Sequence, residues 1–141
     1  MNISNIDIKI VDSWSEDEIV ALYKAGGWWK ETYNKSAIPS LIVGSFAFAV
    51  VIDLTIKKAV GMGRIISDGI SDAYIQDVIL LPEYRGRGIG KKLVKTLIDR
   101  CLSCGITWIA LIAEPGNDNF YKDLGLEHMK GHTPMIYRYE G

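Results

Sequence analysis

Apolar and polar residues alternate through "IDIKIV", which predicts a first strand over about residues 6–11. "SWSEDEIVALYKAGG" then shifts to helical spacing. Ser15 is placed to cap it, Glu16, Asp17 and Glu18 fall in its first turn, and Gly26 and Gly27 end it. "WWKETYNKSA" follows as a short second helix or an ordered loop. "SFAFAVVID" and "KAVGMGRIISD" read as two strands of an antiparallel hairpin across a polar turn. "SDGISD" is a turn cluster, and "AYIQDVILL" is a fourth strand. The clearest helix is "GIGKKLVKTLIDRCLSCG". Ile89, Leu93, Leu97 and Cys101 recur every four residues, with Val94 and Ile98 beside them. "TWIALIA" is apolar nearly throughout, as a buried strand in a parallel pair is. "NDNFYKDLG" predicts a short helix and "MIYRYE" a last strand.

The resulting order is β-α-(α)-β-β-β-α-β-α-β, a mixed α/β fold. A right-handed crossover joins strands four and five, and the rest of the sheet is mostly antiparallel. With 141 residues, 48% hydrophobic, the chain is expected to be a single domain over 1–141 with a real core. A net charge of -1 supplies no global drive toward nucleic acid or an anionic membrane, so neither is expected as a partner. No apolar run has the length of a membrane span, and "MNISNIDIKIVDSW" does not read as a signal peptide, so the expected compartment is the cytoplasm. Cys101 and Cys104, joined with His128 and His132, offer a weak zinc pattern whose gap is longer than usual finger spacing. The expectation is no metal, with Cys101 in the core, Cys104 near a helix end, and the histidines in turns or on the surface.

Directly after the fourth strand stands "RGRGIG", Arg85 to Gly90. A glycine turn between a strand and a helix exposes backbone N–H groups at a positive helix end, which suits an anion. The P-loop pattern fails here: Arg85 stands at its first glycine position and Lys92 at its hydroxyl position. The dinucleotide pattern fails too, because its last glycine falls on Lys91 or Leu93. The pattern that fits is Arg/Gln-x-x-Gly-x-Gly/Ala, with Arg85, Gly88 and Gly90.

Here the chain resembles the GNAT superfamily of N-acetyltransferases. "DVILLPEYRGRGIGKKLV" resembles the family's strand-loop-helix that binds acetyl-CoA, and "AEPGNDNFYKDLGLE" resembles its next conserved segment. The element order agrees over nearly the whole chain. The resemblance implies a GNAT-like sheet whose fourth and fifth strands splay apart to admit the pantetheine arm. Val78, Ile79 and Leu80 would pair with that arm as with an added strand. Backbone N–H groups from Arg85 through Gly86, Arg87, Gly88, Ile89, Gly90 and Lys91 would hold the CoA pyrophosphate. Arg85, Arg87, Lys91, Lys92 and Lys95 would assist or form a solvated face, the latter expected of Lys95.

The same resemblance implies catalytic roles. Tyr121 matches the tyrosine that protonates the leaving thiolate, against the alternative of an ordinary helix-face tyrosine. Asn117 matches a position near the pantetheine and a catalytic water, and also reads as a helix N-cap. The oxyanion would meet an N–H of Val78 or Ile79. Tyr74 stands where some members carry glutamate, so the general base falls to Asp77 or to waters. Alternation puts Asp77 on the face opposite Gln76 unless a bulge shifts it. Trp28, Trp29 and Tyr33 would line the acceptor site, by apolar contact or cation–π, or else cover the core. The expected activity is transfer of acetyl from acetyl-CoA to a primary amine of a small molecule or peptide in a ternary complex, by a monomer or homodimer. The alternative is a non-catalytic acyl-CoA-binding sensor or assembly module.

Overall fold

The segment "AFAVVID", apolar but for Asp53, is buried at every one of its 7 positions. Such a strand needs cover on both faces, and the architecture supplies it. The computed structural model describes residues 5–141. These divide into two compact units, the first running to Leu111 and the second spanning Ile112–Gly141.

The first unit holds β1 (Ile6–Ile10), α1 (Glu16–Ala25), α2 (Ile38–Gly44), β2 (Ala47–Asp53), β3 (Lys58–Ser67), β4 (Asp72–Leu80), α3 (Ile89–Ser103) and β5 (Trp108–Ala110). The five strands lie in the order β1-β2-β3-β4-β5. β1 to β4 pair antiparallel, and β4 pairs with β5 in parallel. The mixed α/β fold expected from the sequence is present. Ser15 caps α1 as expected, accepting from the Glu18 N–H, and Gly27 leaves the helix at φ 77°.

On one face of the sheet, Ile19, Leu22 and Tyr23 of α1 and Ile38 and Ile42 of α2 pack on Phe48, Val50, Ile52 and Met62. On the other face α3 buries Ile89, Leu93, Val94, Leu97 and Cys101. Fully burying one such aliphatic side chain stabilises the fold by about 1.5–3 kcal/mol. β3 makes room for α3 with glycine: a Cβ on Gly63 would lie 3.0 Å from Leu97 Cδ1 and 3.3 Å from Val78 Cγ2.

Three expectations need correction. The segment "IPSLIVG" forms α2, which residue pattern alone did not reveal. Pro39 lies at the start of this helix, where a missing N–H costs nothing. The fifth strand has 3 residues, shorter than the apolar run 107–113. In the second unit, α4 (Asp118–Lys122) forms within the predicted helix, while residues 135–140 form no strand. Met135, Ile136, Tyr137 and Tyr139 are each at least 80% exposed. Strand propensity without a ladder partner does not fix a strand.

Candidate active site

The sheet opens where β4 outruns β5. Their pairing covers Asp72–Trp108, Ala73–Ile109 and Tyr74–Ala110, and ends there. From Ile75 to Leu80, β4 has no strand beside it on that edge among the described residues. Leu81 N–H donates to the Val60 carbonyl of β3 at 2.9 Å. Alternation then turns Ile79 toward β3, and the backbone of Val78 and Leu80 toward the open edge. Of the two expected oxyanion donors, Val78 is therefore the one whose N–H faces outward.

A bulge sits at the head of this edge. Met62 pairs with Ile79 and Arg64 with Gln76, so Asp77 and Val78 together oppose Gly63. Asp77 takes the left-handed conformation, φ 58°, at a cost on the order of 1 kcal/mol or more for a non-glycine residue. The turn moves its carboxylate to the α1 side of the sheet. There the Tyr23 hydroxyl donates to Oδ2 at 2.8 Å and Arg64 Nε donates to the same oxygen at 2.6 Å. The Arg64 and Asp77 side chains are 18% and 22% exposed, a largely buried ion pair. Burial, then the Asp77 charge, pushes the Tyr23 phenol far above its ordinary range, so it remains a donor at any working pH.

Tyr23 also joins the aromatic group expected at the acceptor site. Its ring centroid is 6.3 Å from Trp28 and 6.5 Å from Trp29, and Trp29 stands edge-on to Tyr33 at 5.5 Å. Gly26 makes this possible, since a Cβ there would meet the Trp28 ring at 2.7 Å. Both tryptophans are half-buried against the core, so they cover it and border the Asp77 network at once. Lys30 Nζ lies 5.8 Å from the Tyr33 ring centroid, so this ring already carries a cation of the chain itself.

Beyond β4, a single 3₁₀ turn at Pro82–Tyr84 leads into the glycine loop. Tyr84 donates to the buried Asp53 carboxylate and anchors the turn. Gly86 and Gly88 have φ of 76° and 81°, which glycine adopts freely, and a Cβ at either would face open space. Gly88 is the N-cap of α3 and no side chain caps the helix. Its first-turn N–H groups, from Ile89, Gly90 and Lys91, point off a positive helix end. Ile89 itself is buried, so its side chain fastens the loop to the core. Arg85 Nε donates to the Leu80 carbonyl at 2.8 Å and straps the loop to β4. Lys95 pairs with Asp99 at 2.8 Å on the solvated face, as expected of it.

In the second unit, Asn117 occupies the N-cap position of α4, as the sequence reading allowed, and its side chain makes no capping hydrogen bond. Tyr121 is half-buried, with Phe120 edge-on at 4.9 Å. Burial, then the Glu114 charge, raises its phenol above the ordinary range, so it is a proton donor and not a phenolate at neutral pH. Among the described residues no group of three or more His, Cys, Asp or Glu side chains is placed to hold a metal.

Tyr23 and Arg64 are the residues that pattern reading missed. Arg64 carried a signal: it is the one cation within the otherwise apolar "AVGMGRIIS", and a charge in a covered strand needs a partner.

This fold, with its parallel β4–β5 pair at the sheet edge parting beside a bulge and a glycine turn leading into α3, is shared with acetyltransferases of known structure. An acetyltransferase of the GNAT family from Streptococcus pneumoniae TIGR4 superposes with a TM-score of 0.79 at 26% identity, covering 96% of this chain and 99% of that one. AAC(6')-Iy, solved with the bisubstrate analogue CoA-S-monomethyl-acetylneamine, shares the fold at TM-score 0.71 and 19% identity, covering 96% of this chain and 99% of that one. In sequence, the uncharacterized N-acetyltransferase ycf52 of Pyropia yezoensis is 34% identical over 113 residues, 77% of this chain and 62% of the relative. The chloroplastic GCN5-related N-acetyltransferase 2 of Arabidopsis thaliana is 44% identical over 71 residues, 50% of this chain and 28% of the relative. The chain thus spans less than two thirds of the length of these relatives. The sequence profile of the acetyltransferase (GNAT) family matches residues 12–126, and the chain belongs to that family.

Proposed function

We propose that this chain transfers the acetyl group of acetyl-CoA to a primary amine of a small molecule or peptide, by direct attack within a ternary complex. The observation that carries the reading is the open edge of β4 leading, through the turn at Pro82–Tyr84, into the left-handed glycines and the start of α3. An extended arm ending in a pyrophosphate matches that sequence of features: strand-like backbone first, an anion site after it.

Bound acetyl-CoA supplies a thioester carbonyl open to attack. The Val78 N–H donates to the carbonyl oxygen as it gains charge. Asp77, held through Oδ2, keeps Oδ1 to accept a proton from the incoming amine, directly or through water. Trp28, Trp29 and Tyr33 orient the acceptor. Tyr121 donates its phenolic proton to the departing thiolate, and Asn117 holds the water or pantetheine group beside it. The chain's N–H groups from Arg85 to Lys91 hold the pyrophosphate.

The test has two stages. Acetyl-CoA raises the unfolding midpoint by mass action, whereas ATP and NAD do not. A panel of amines then releases free CoA with at least one acceptor. Equal shifts from all three nucleotides remove the CoA assignment. A specific shift with no turnover of any amine points to a non-catalytic acyl-CoA-binding module instead.

A further inference from the structure

We propose that Tyr23 and Arg64 are positioning residues for acyl transfer: they pin the Asp77 carboxylate, and through it the left-handed turn that aims the Val78 N–H into the open edge of β4. The consequence for catalysis rests on the transfer reaction proposed above. The lock itself is a property of the folded chain.

Three observations converge on it. Asp77 holds a backbone conformation that favours glycine, and it does so at the one point where two residues of β4 oppose one of β3. Such strain persists only where the surroundings over-determine it. The surroundings do so here through two donors on one oxygen: the Tyr23 hydroxyl from α1 and Arg64 Nε from β3, at 2.8 and 2.6 Å. Finally, a largely buried ion pair is a poor way to stabilise a sheet, since a well-packed apolar pair of similar size does as well or better. What it does supply is direction. With Oδ2 occupied twice, the carboxylate cannot rotate, and Oδ1 and the adjoining Val78 amide keep one orientation. Tyr23 extends the lock to the acceptor wall, because its ring also touches Trp28 and Trp29.

The experiment uses the full chain with Tyr23→Phe, Arg64→Gln and Arg64→Lys. Tyr23→Phe removes one oxygen and keeps the ring against both tryptophans. It is expected to lower kcat by roughly 10- to 100-fold, the scale of a sub-ångström to ångström misplacement, with KM for acetyl-CoA nearly unchanged. Arg64→Lys is expected to recover part of what Arg64→Gln loses. In parallel, amide hydrogen exchange of the unliganded protein is compared at Asp77, Val78 and Ile79, where Tyr23→Phe is expected to exchange faster with no change in β1 or β2. Wild-type kcat in Tyr23→Phe overturns the positioning role, whatever the exchange shows. Unchanged exchange at all three amides overturns the lock. If the wild-type chain acetylates no amine, the transfer reading fails on its own, and the exchange comparison still decides the lock. If Arg64→Gln does not fold, Tyr23→Phe carries both measurements.

Discussion

The hydroxyl of Tyr23 donates to Asp77 Oδ2 at 2.8 Å, between residues 54 apart in the chain. This bond ties the first helix to the middle of β4, where the strand's regular alternation breaks. Asp77 would otherwise point toward α3, on the same face as Ile75. The bulge carries it across the sheet to a partner that sequence distance hides.

Gly88 is expected to be irreplaceable for ligand binding and only modestly important for folding. A side chain at φ 81° costs about 1–2 kcal/mol, and a Cβ there meets no atom of the protein. Gly88→Ala should therefore fold with a small loss of stability, yet lose most of the acetyl-CoA-induced rise in unfolding midpoint. Calorimetric titration of acetyl-CoA checks it. Wild-type affinity in this variant would move the pyrophosphate away from the loop.

Tyr121→Phe is expected to keep acetyl-CoA affinity while lowering kcat on the order of 10²-fold or more, if the phenol acts mainly in the transition state. Because its pKa is raised by burial and by Glu114, the wild-type phenol stays protonated through the neutral range. Single-turnover measurement keeps slow product release from masking the step. Near-wild-type single-turnover rates would leave thiolate protonation to water.

Gly63→Ala tests the packing beneath the bulge. The new methyl meets Leu97 Cδ1 at 3.0 Å and Val78 Cγ2 at 3.3 Å, and Leu97 is fully buried. Overpacking of this kind costs about 1–3 kcal/mol. Urea unfolding should show a lower midpoint with an unchanged slope. A midpoint equal to wild type would mean that β4 and α3 yield more easily than a close-packed core does.

Tyr84→Phe should give a pH-dependent loss of stability. The Tyr84 hydroxyl lowers the Asp53 pKa below its ordinary 3.8, with the Thr55 N–H adding to the effect. A carboxyl depressed in the folded state contributes stability above its unfolded pKa and loses it as pH falls through the folded one. The variant should therefore melt below wild type at pH 7, and the gap should narrow as pH drops below about 4. Thermal melts across pH 2–7 decide it. A gap that stays constant to the acid end would assign the loss to packing rather than to the Asp53 charge.

The placement of the glycine loop was legible in residue order because it is local. Arg85, Gly88 and Gly90 follow a strand and open a helix, and the left-handed glycine conformation is fixed within a few residues. Helices α1 and α3 were legible for the same reason: apolar spacing and capping residues act within a few turns. α2 escaped because "IPSLIVG" is short and apolar, and its periodicity does not distinguish a buried helix from a strand. The last predicted strand failed in the opposite way, since "MIYRYE" has the propensity and no ladder.

By itself the sequence determined the family, the mixed α/β class and the run of elements from β2 through α4 that frames the glycine turn. Only the tertiary structure decided which face Asp77 takes, that Tyr23 and Arg64 hold it, and that Val78 rather than Ile79 turns its amide outward. The physical reason is that a bulge is a relation between two strands. One extra residue in β4 has meaning only against the register of β3, and a one-residue shift reverses every side chain that follows.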